Sequence, residues 1–316
     1  VLAFAQILGT PQTQAVVPRM IEEGVVAAPA TWWSGWAFSD FGGDHILESG
    51  APYCLEAMNG MAFMSQALPE GFTWALIRFP GDYGGDYGAG ALIAAAQLGL
   101  GEPLFDHLQI PLSAGGDVTE AVTLAATHTP TLIVIVSGPR EMAQIVGGTF
   151  QAGHQAFQVL GASPTWNVAL LGQEALLPLL VATYFATVPF AGWDTDSDGH
   201  AAMRAAADAA GQSPNGAYTA GWSWQYPMKA LLEAAIASRD LTRASLLSLA
   251  ATLADVNYDG MMPNRTYGDP NSTIERSTIV MKVDPASSDG LTPVSEVPFI
   301  SPLAADFNLA GPCFTG

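Results

Sequence analysis

Residues 8–36 read LGTPQTQAVVPRMIEEGVVAAPATWWSGW, and this stretch decides how the rest of the chain is interpreted. The apolar residues that precede it predict a strand. Thr10 followed by a proline is a helix start, with the threonine as N-cap. The helix is expected to end at Gly24, and the apolar run 25–28 predicts a second buried strand. The stretch therefore predicts a strand, a helix and a second strand of one parallel sheet.

The two strands of this stretch should end side by side. One ends next to Thr10 and the other at Ala30 and Thr31. The carboxyl ends of neighbouring parallel strands form the usual binding crevice of an open α/β sheet. A helix N-terminus at the same edge favours an anion, because its first N–H groups are free. Trp32 and two further tryptophans follow directly, so the sequence predicts an aromatic-walled crevice for a ligand with an anionic group.

The rest of the chain alternates between apolar strands and alanine-rich helices, which is typical of an α/β fold with parallel sheets and helices on both faces. Strands are predicted at 72–79, 105–112, 131–136, 166–171, 184–188 and 279–283. Helices are predicted at 57–67, 89–100, 118–126, 141–152, 175–182, 200–210, 222–238 and 241–254. The glycine-rich residues 84–90 are interpreted as a turn that presents Tyr87 at a helix N-terminus.

Composition excludes several classes of protein. The 316 residues suggest about two domains, and 49% of them are hydrophobic, which argues against disorder. A net charge of −19 argues against nucleic acid and anionic lipid as partners. The uncharged run 175–193 is interpreted as a helix followed by a strand, because it contains two prolines and lacks basic flanks.

No motif for catalysis or for a cofactor is found. The glycine-rich stretch 84–90 lacks the GxGxxG spacing, no GK[ST] follows it, and GxSxG is absent from the chain. Two turns that begin at Asp194 and Asp255 resemble calcium loops, but Ala205 and Thr266 replace the glutamate needed at the last ligand position. We therefore expect no metal and no cofactor, and a receptor rather than an enzyme.

The order of these motifs resembles the type I periplasmic solute-binding proteins of ABC transporters, in the branched-chain amino-acid (Leu/Ile/Val) group. The landmarks are LGTPQT at 8–13, VVAAPAT at 25–31, GGDYGAG at 84–90, SGPREMAQ at 137–144, YTAGWSWQYPMKALLEAA at 218–235 and NYDGMMP at 257–263. The resemblance implies two Rossmann-like lobes joined by a hinge of three crossover strands. The first lobe would comprise 1–68 and 216–275, and the second 69–215 and 276–316 with the C-terminal tail. The family's first strand, helix and strand precede residue 1, so the first lobe is expected to be incomplete.

The resemblance also implies roles for individual residues. Thr10 would bind a ligand carboxylate, helped by Ala30 and Thr31, and Tyr87 would close on the ligand from the second lobe. Ser137 and Gly138 stand at a further contact position. The family places an acidic residue for the ligand's amino group just after the strand equivalent to 166–171, whereas in this chain Glu174 lies about three residues late. A carboxylate-bearing or a bulky apolar ligand is therefore as plausible as leucine, isoleucine or valine.

Two kinds of receptor remain open at this point. One is the extracytoplasmic component of an ABC importer, with permease subunits as partners. The other is a ligand sensor on the same fold, and an enzyme is the weakest alternative.

Cys54 and Cys313 are the only two cysteines of the sequence. In an exported protein they are predicted to form a disulfide that holds the tail against the first lobe. The alternative is two buried free thiols.

Overall fold

The computed structural model describes residues 1–267 and 270–316. Nine strands occur in these residues: β1 Ala3–Leu8, β2 Val26–Ala30, β3 Trp74–Arg78, β4 Asp106–Leu108, β5 Leu132–Val136, β6 Gln158–Gly161, β7 Tyr184–Val188, β8 Ile279–Val283 and β9 Leu291–Pro293. The helices over the same residues are α1 Thr10–Glu23, α2 Tyr53–Ala67, α3 Asp82–Gln97, α4 Thr119–His128, α5 Pro139–Gln151, α6 Leu177–Thr183, α7 Asp198–Ala209, α8 Gly216–Ser223, α9 Tyr226–Ala237, α10 Arg243–Ala250, α11 Pro270–Thr273 and α12 Pro302–Ala305. No helix in the described part of the chain is long and apolar enough to span a bilayer.

Seven strands form one large sheet in the order β4-β3-β5-β6-β7-β8-β9. The strands from β3 to β7 are parallel to their neighbours, and β8 and β9 are added antiparallel. The central strand β5 reads LIVIV and is buried on both faces, as expected for a parallel sheet covered by helices. Its side chains alternate between two cores, with Val134 in the core on one face and Ile135 in the core on the other.

The opening stretch forms a separate two-stranded sheet. Strands β1 and β2 run parallel, and Leu8 pairs with Ala30, so that both strands end at the same edge as predicted. Helix α1 connects them and ends at Gly24, which takes the left-handed conformation with φ of 62° that glycine tolerates best. The fold is thus the expected α/β architecture with two parallel-dominated sheets.

The chain crosses between the two sheets three times. The first crossing leaves the small sheet after Ile46, which bridges to β2. The second returns after β7, so that α9 and α10 contact β2. The third leads back to the large sheet, which the chain rejoins at β8. The first and third crossings are tied by a buried ion pair between Glu48 and Arg265, and the Tyr267 hydroxyl donates to the Glu48 carbonyl at 2.9 Å. We propose these crossings as the hinge between two lobes.

Helix α2 packs mainly on elements that the prediction assigned to the second lobe. The boundary at residue 68 assigned it to the first lobe, but α2 packs most extensively on α3 and also contacts β7 of the large sheet. The reason is the small size of Gly90 on α3, where the two helices approach so closely that a Cβ would lie 2.2 Å from the Cys54 carbonyl oxygen. We therefore propose a lobe boundary before α2 rather than after it.

Three predicted elements are wrong. Residues 82–88 are the first turns of α3 rather than a turn before it, because the glycines there face backbone and ring atoms that leave no room for side chains. Residues 166–171 form no strand and lie mostly in a 3-10 turn, Val168–Gly172; the sixth strand is β6 instead. The long helix at 222–238 is two helices, α8 and α9, with a proline in the first turn of the second.

Candidate ligand-binding cleft between the sheets

A cleft with a volume of about 680 Å³ lies at the carboxyl ends of the strands of both sheets. Its wall is mainly aromatic and aliphatic, with proline at several loop positions. The lining includes Leu8, Pro11, Ala30, Trp32, Tyr53, Phe79, Pro80, Tyr83, Pro111, Pro139, Pro164, Trp166, Val168, Val188, Phe190, Trp224, Met281 and Leu291. The volume lies in the range of small-molecule sites, roughly 300–1,000 Å³.

The two threonines of the opening stretch meet at the floor of this cleft. The Thr10 and Thr31 hydroxyl oxygens lie 2.5 Å apart, and both residues line the cleft although each is almost fully buried. Since one hydroxyl donates to the other, one hydroxyl hydrogen remains for a ligand or for the neighbouring Tyr53 hydroxyl. Ala30 and Trp32 flank the pair on the same wall, so the first-lobe residues that the sequence proposed lie together.

Thr10 does not have the capping role that the sequence predicted. Gly9 occupies the N-cap of α1 with φ of 92°, and no side chain caps the helix. Thr10 is the first helical residue, and its hydroxyl is directed to Thr31 across the strand ends. The Thr13 hydroxyl instead satisfies the Gly9 carbonyl at 2.8 Å.

Four helices begin at the cleft. The first residues of α1, α3, α5 and α8 are Thr10, Asp82, Pro139 and Gly216, and all four line it. Each N-terminus carries a partial positive charge from its free N–H groups. The cleft can therefore stabilise an anion although no Lys, Arg or His lines it in the described residues.

Tyr83 on α3, one helical turn before Tyr87, is the tyrosine of this helix that reaches the cleft. Its ring lies edge-on to Tyr53 with centroids 5.0 Å apart, and its hydroxyl lies 3.1 Å from the Thr165 hydroxyl. Tyr87 is fully buried, and its hydroxyl bonds to Thr187 at 2.9 Å. The resemblance assigned the ligand contact to Tyr87, whereas Tyr83 lines the cleft.

Ser137 and Gly138 are near the cleft but do not line it. Ser137 is fully buried, and its hydroxyl donates to the Gly138 carbonyl at 3.1 Å. Pro139, the next residue along and the first residue of α5, takes the lining position. Of the seven ligand-binding residues proposed from the sequence, the four of the opening stretch line the cleft and the three of the large sheet do not.

Both carboxylates in the cleft wall are occupied by donors from the protein itself. Burial raises the pKa of Asp82, while hydrogen bonds from the Gly316 backbone and the Gln14 side chain partly offset that effect. Asp289 accepts from the Trp193 amide at 2.9 Å and from the Ser287 hydroxyl at 3.0 Å. Both carboxylates of the described cleft wall therefore already accept hydrogen bonds from neutral protein donors.

The position after the sixth strand also lacks an acid. Because the strand is β6, the residues that follow it are Ala162 and Ser163, and Ser163 lines the cleft. The turn continues to Trp166, whose ring stacks on Tyr184 and whose indole N–H donates to the Asp289 carbonyl at 3.1 Å.

A family model described as periplasmic binding protein matches residues 1–290. The chain belongs to the periplasmic binding protein family. A fatty-acid ABC transporter substrate-binding protein from Thermomonospora curvata superposes with a TM-score of 0.84 at 24% identity, over 97% of this chain and 77% of that one. A branched-chain amino-acid ABC transporter protein from Thermus thermophilus with bound valine gives 0.78 at 16% identity, over 96% and 79%.

A third similar structure is an ABC transporter solute-binding protein from R. palustris in complex with benzoate. Its TM-score is 0.69 at 13% identity, over 95% of this chain and 80% of that one. These identities establish a shared fold, and the ligands in the three titles differ in chemical class. No curated protein sequence matches the chain significantly. The family and the solved structures are solute-binding proteins rather than enzymes.

The C-terminal tail of this binding protein is held where the two sheets approach each other. The predicted disulfide between Cys54 and Cys313 is present. The Cys313 amide donates to the Ser34 hydroxyl at 2.8 Å, and the Trp33 indole N–H donates to the Phe314 carbonyl at 2.9 Å. Asp86 on α3 accepts the Ser34 hydroxyl at 2.5 Å, so the tail, the loop after β2 and α3 form one cluster.

The two acidic turns are closed by the protein's own donors. Asp194 accepts from the Ser288 amide at 2.8 Å and from the Ser288 hydroxyl at 2.6 Å. In the second turn, Asn257 and Asp259 bond to each other through side chain and backbone. Within residues 1–267 and 270–316, the one group of potential metal ligands is Cys54, Asp86 and Cys313, and its sulfurs form the disulfide.

Proposed function

We propose that this binding protein captures a small apolar carboxylate, such as a fatty or aromatic acid, in the cleft between its sheets. The observation that carries the proposal is the contrast within the cleft wall. The hydroxyl pair of Thr10 and Thr31 stands at a helix N-terminus and can receive a carboxylate, whereas Asp82 and Asp289 already have protein donors. An α-amino acid would have only these two carboxylates as charge partners, and its ammonium group would compete with the donors that they already bind.

The ligand's apolar part would lie against the aromatic wall. Trp32 packs on Trp224 with ring centroids 5.0 Å apart, and Phe190 adjoins the same ring. Burying a chain of methylene groups on such a surface contributes about 0.8 kcal/mol for each group. We therefore expect affinity to rise with chain length until the cleft is filled.

The protein would deliver this solute to the permease subunits of an ABC importer outside the cytoplasm. Family membership supports that role, and the disulfide is consistent with an oxidising compartment. A sensor on the same fold would bind the same ligand, but it would pass the signal to a different partner protein.

The test is to identify the small molecule that co-purifies with the protein and to titrate the apo protein with octanoate in a calorimeter. We expect mass spectrometry of the denatured sample to release a monocarboxylic acid, and octanoate to bind with one site per chain. A co-purified sugar or α-amino acid, together with no heat from octanoate, would reject the proposed ligand class.

A further inference from the structure

Residues 313–316 lie between the loop that follows β2 and the first turns of α3. The disulfide joins Cys313 to Cys54 on α2. The Phe314 ring packs on α3 at Gly85, where a Cβ would lie 2.3 Å from the ring. The preceding helix α12 also packs on α2. Residues 313–316 are therefore fixed to the helices that cover the large sheet.

The loop after β2 belongs to the small sheet. Trp33 lies in a separate core with residues of α1 and β2, including Val17 and Ala27. Its ring is edge-on to Trp36, with ring centroids 4.9 Å apart. A movement of the small sheet would therefore carry Trp33 and the adjoining Ser34 with it.

Two hydrogen bonds join residues 313–316 to this loop. The Trp33 indole N–H donates to the Phe314 carbonyl at 2.9 Å, and the Cys313 amide donates to the Ser34 hydroxyl at 2.8 Å. The Ser34 hydroxyl in turn donates to Asp86 on α3 at 2.5 Å, and the Ser34 amide donates to the same carboxyl group at 3.1 Å. The tail and α3 thus hold the same loop from two directions.

These contacts lie beside the cleft. Asp82 in the first turn of α3 lines it, as does Trp32, which precedes Trp33 in the chain. Opening of the cleft about the proposed hinge would move the loop away from α3 and break the four bonds. Because the disulfide keeps residues 313–316 on the large-sheet side, the bonds of the tail to Trp33 and Ser34 oppose that movement.

We propose that residues 313–316 are a latch that holds the two sheets together beside the cleft, and that the disulfide keeps this latch in place. The latch lowers the frequency with which the cleft opens, and it thereby slows the release of a bound ligand. The latch itself does not depend on the identity of the ligand. The link to ligand release rests on the proposed function, because it assumes that the ligand lies in the cleft.

The exchange of the Ser34 amide hydrogen with deuterium, followed by NMR without a ligand, tests the latch. This amide donates to Asp86, so it is protected while the loop is held against α3. Trp33→Phe keeps an aromatic ring in the small-sheet core and removes the bond to the Phe314 carbonyl. We expect Ser34 exchange to become about twofold to tenfold faster, as for the loss of one neutral hydrogen bond.

Trp74→Phe is the matched control for this substitution. The Trp74 indole N–H also donates to a backbone carbonyl, that of Gly101 at 3.1 Å, but Trp74 lies on β3 of the large sheet. Ser34 exchange should therefore stay at the parent's rate in this variant. Equal Ser34 exchange in Trp33→Phe and Trp74→Phe would overturn the latch.

The double substitution Cys54→Ser and Cys313→Ser tests the part played by the disulfide. It leaves every side chain of the loop in place, so a local loosening of the loop cannot explain faster Ser34 exchange. The Val134 amide in the central strand β5 reports global unfolding of each variant, and its exchange is compared with that of Ser34. Ser34 exchange that rises no more than Val134 exchange would overturn the role of the disulfide.

Stopped-flow dissociation of octanoate measures the consequence for a ligand. Trp33→Phe should release octanoate about twofold to tenfold faster than the parent, and Trp74→Phe should release it at the parent's rate. An unchanged release rate in Trp33→Phe would overturn the role of the latch in ligand release. Failure of the parent to bind octanoate would reject the proposed ligand class alone, since Ser34 exchange decides the latch separately.

Discussion

The Thr10 hydroxyl bonds across the cleft floor rather than to its own helix, and this distinguishes a binding role from a structural one. We expect Thr10→Val to weaken octanoate binding by a factor of about 10 to 100, because a hydrogen bond to a charged group contributes about 1.5–3 kcal/mol. Stability should also fall by about 1–3 kcal/mol, since the buried Thr31 hydroxyl loses its partner. Calorimetry on folded protein measures the affinity.

The control for this prediction is Thr13→Val in the same helix. The Thr13 hydroxyl bonds to the Gly9 carbonyl and does not line the cleft, so its loss should lower stability by about 1 kcal/mol and leave affinity intact. If Thr10→Val binds octanoate as tightly as the parent, the hydroxyl pair is not the carboxylate site.

Asp86 gives the protein a pH-dependent stability. Burial raises the pKa of Asp86 to about 7, against the bonds from Ser34 and the Cys54 amide. A carboxyl whose pKa is higher in the folded state binds its proton more tightly there, so its contribution to stability falls as the pH rises from about 4 to about 7. We expect Asp86→Asn to gain stability relative to the parent across this window, by on the order of 3 kcal/mol.

Urea unfolding at both ends of the window measures this difference. The exposed Asp117, whose pKa the Thr119 side chain and amide lower, provides the control, because Asp117→Asn should show no such gain. If the free energies of unfolding of Asp86→Asn and the parent differ by the same amount at every pH in this window, Asp86 is ionised throughout it.

Sequence reasoning located half of the cleft at the residue scale. Thr10 and Thr31 were found because they lie at the ends of two strands that are close in the chain. Tyr83 was missed because the glycines around it argued for a turn, whereas the close contact of α3 with its neighbours makes glycine favourable inside a helix. Nothing local in the sequence indicates the bond between Ser34 and Cys313, since the two residues are 279 positions apart.

At the scale of elements, the contact between α2 and α3 depends on a single glycine. A Cβ at Gly90 would lie 2.2 Å from the Cys54 carbonyl oxygen, so Gly90→Ala should force the helices apart and lower stability by about 1–3 kcal/mol. Gly147 in the middle of α5 is the matched control, with its nearest atom 3.4 Å away. Gly147→Ala should be neutral or stabilising by up to about 1 kcal/mol, because alanine favours the helix.

Thermal or urea unfolding of the two variants decides this point. Equal effects of the two substitutions would show that the α2–α3 contact is looser than described. Cys54 lies at the α2–α3 contact and forms the disulfide with Cys313. Octanoate affinity, measured on the same variants, checks that the cleft is intact.

The disulfide joins elements that are 259 residues apart in the chain. In the chain-entropy model, closing a loop of this length stabilises the folded state by roughly 5–6 kcal/mol. We expect the double substitution Cys54→Ser and Cys313→Ser to lower the free energy of unfolding by up to that amount, measured in urea. An unchanged unfolding midpoint would mean that the bonds of the tail through Ser34 and Trp33 suffice to hold it.

At the scale of the whole molecule, the fold class followed from the alternation of strands and helices, and the sheets confirm it. The errors lay where tertiary contacts override local signals: the strand β6 is only four residues long, and the apolar residues after it serve the cleft wall instead. The packing of α2 on α3 could not be predicted, because a close contact between two helices leaves no periodic pattern in the sequence.

The central claim is that the cleft receives a carboxylate and rejects a neighbouring ammonium group. Leucine and isocaproate test it most directly, because they differ only in the amino group. Titrated separately into the apo protein in a calorimeter, isocaproate should bind at least about tenfold more tightly than leucine, since the ammonium group would compete with the protein donors that Asp82 and Asp289 already bind. Tighter binding of leucine than of isocaproate would contradict the account.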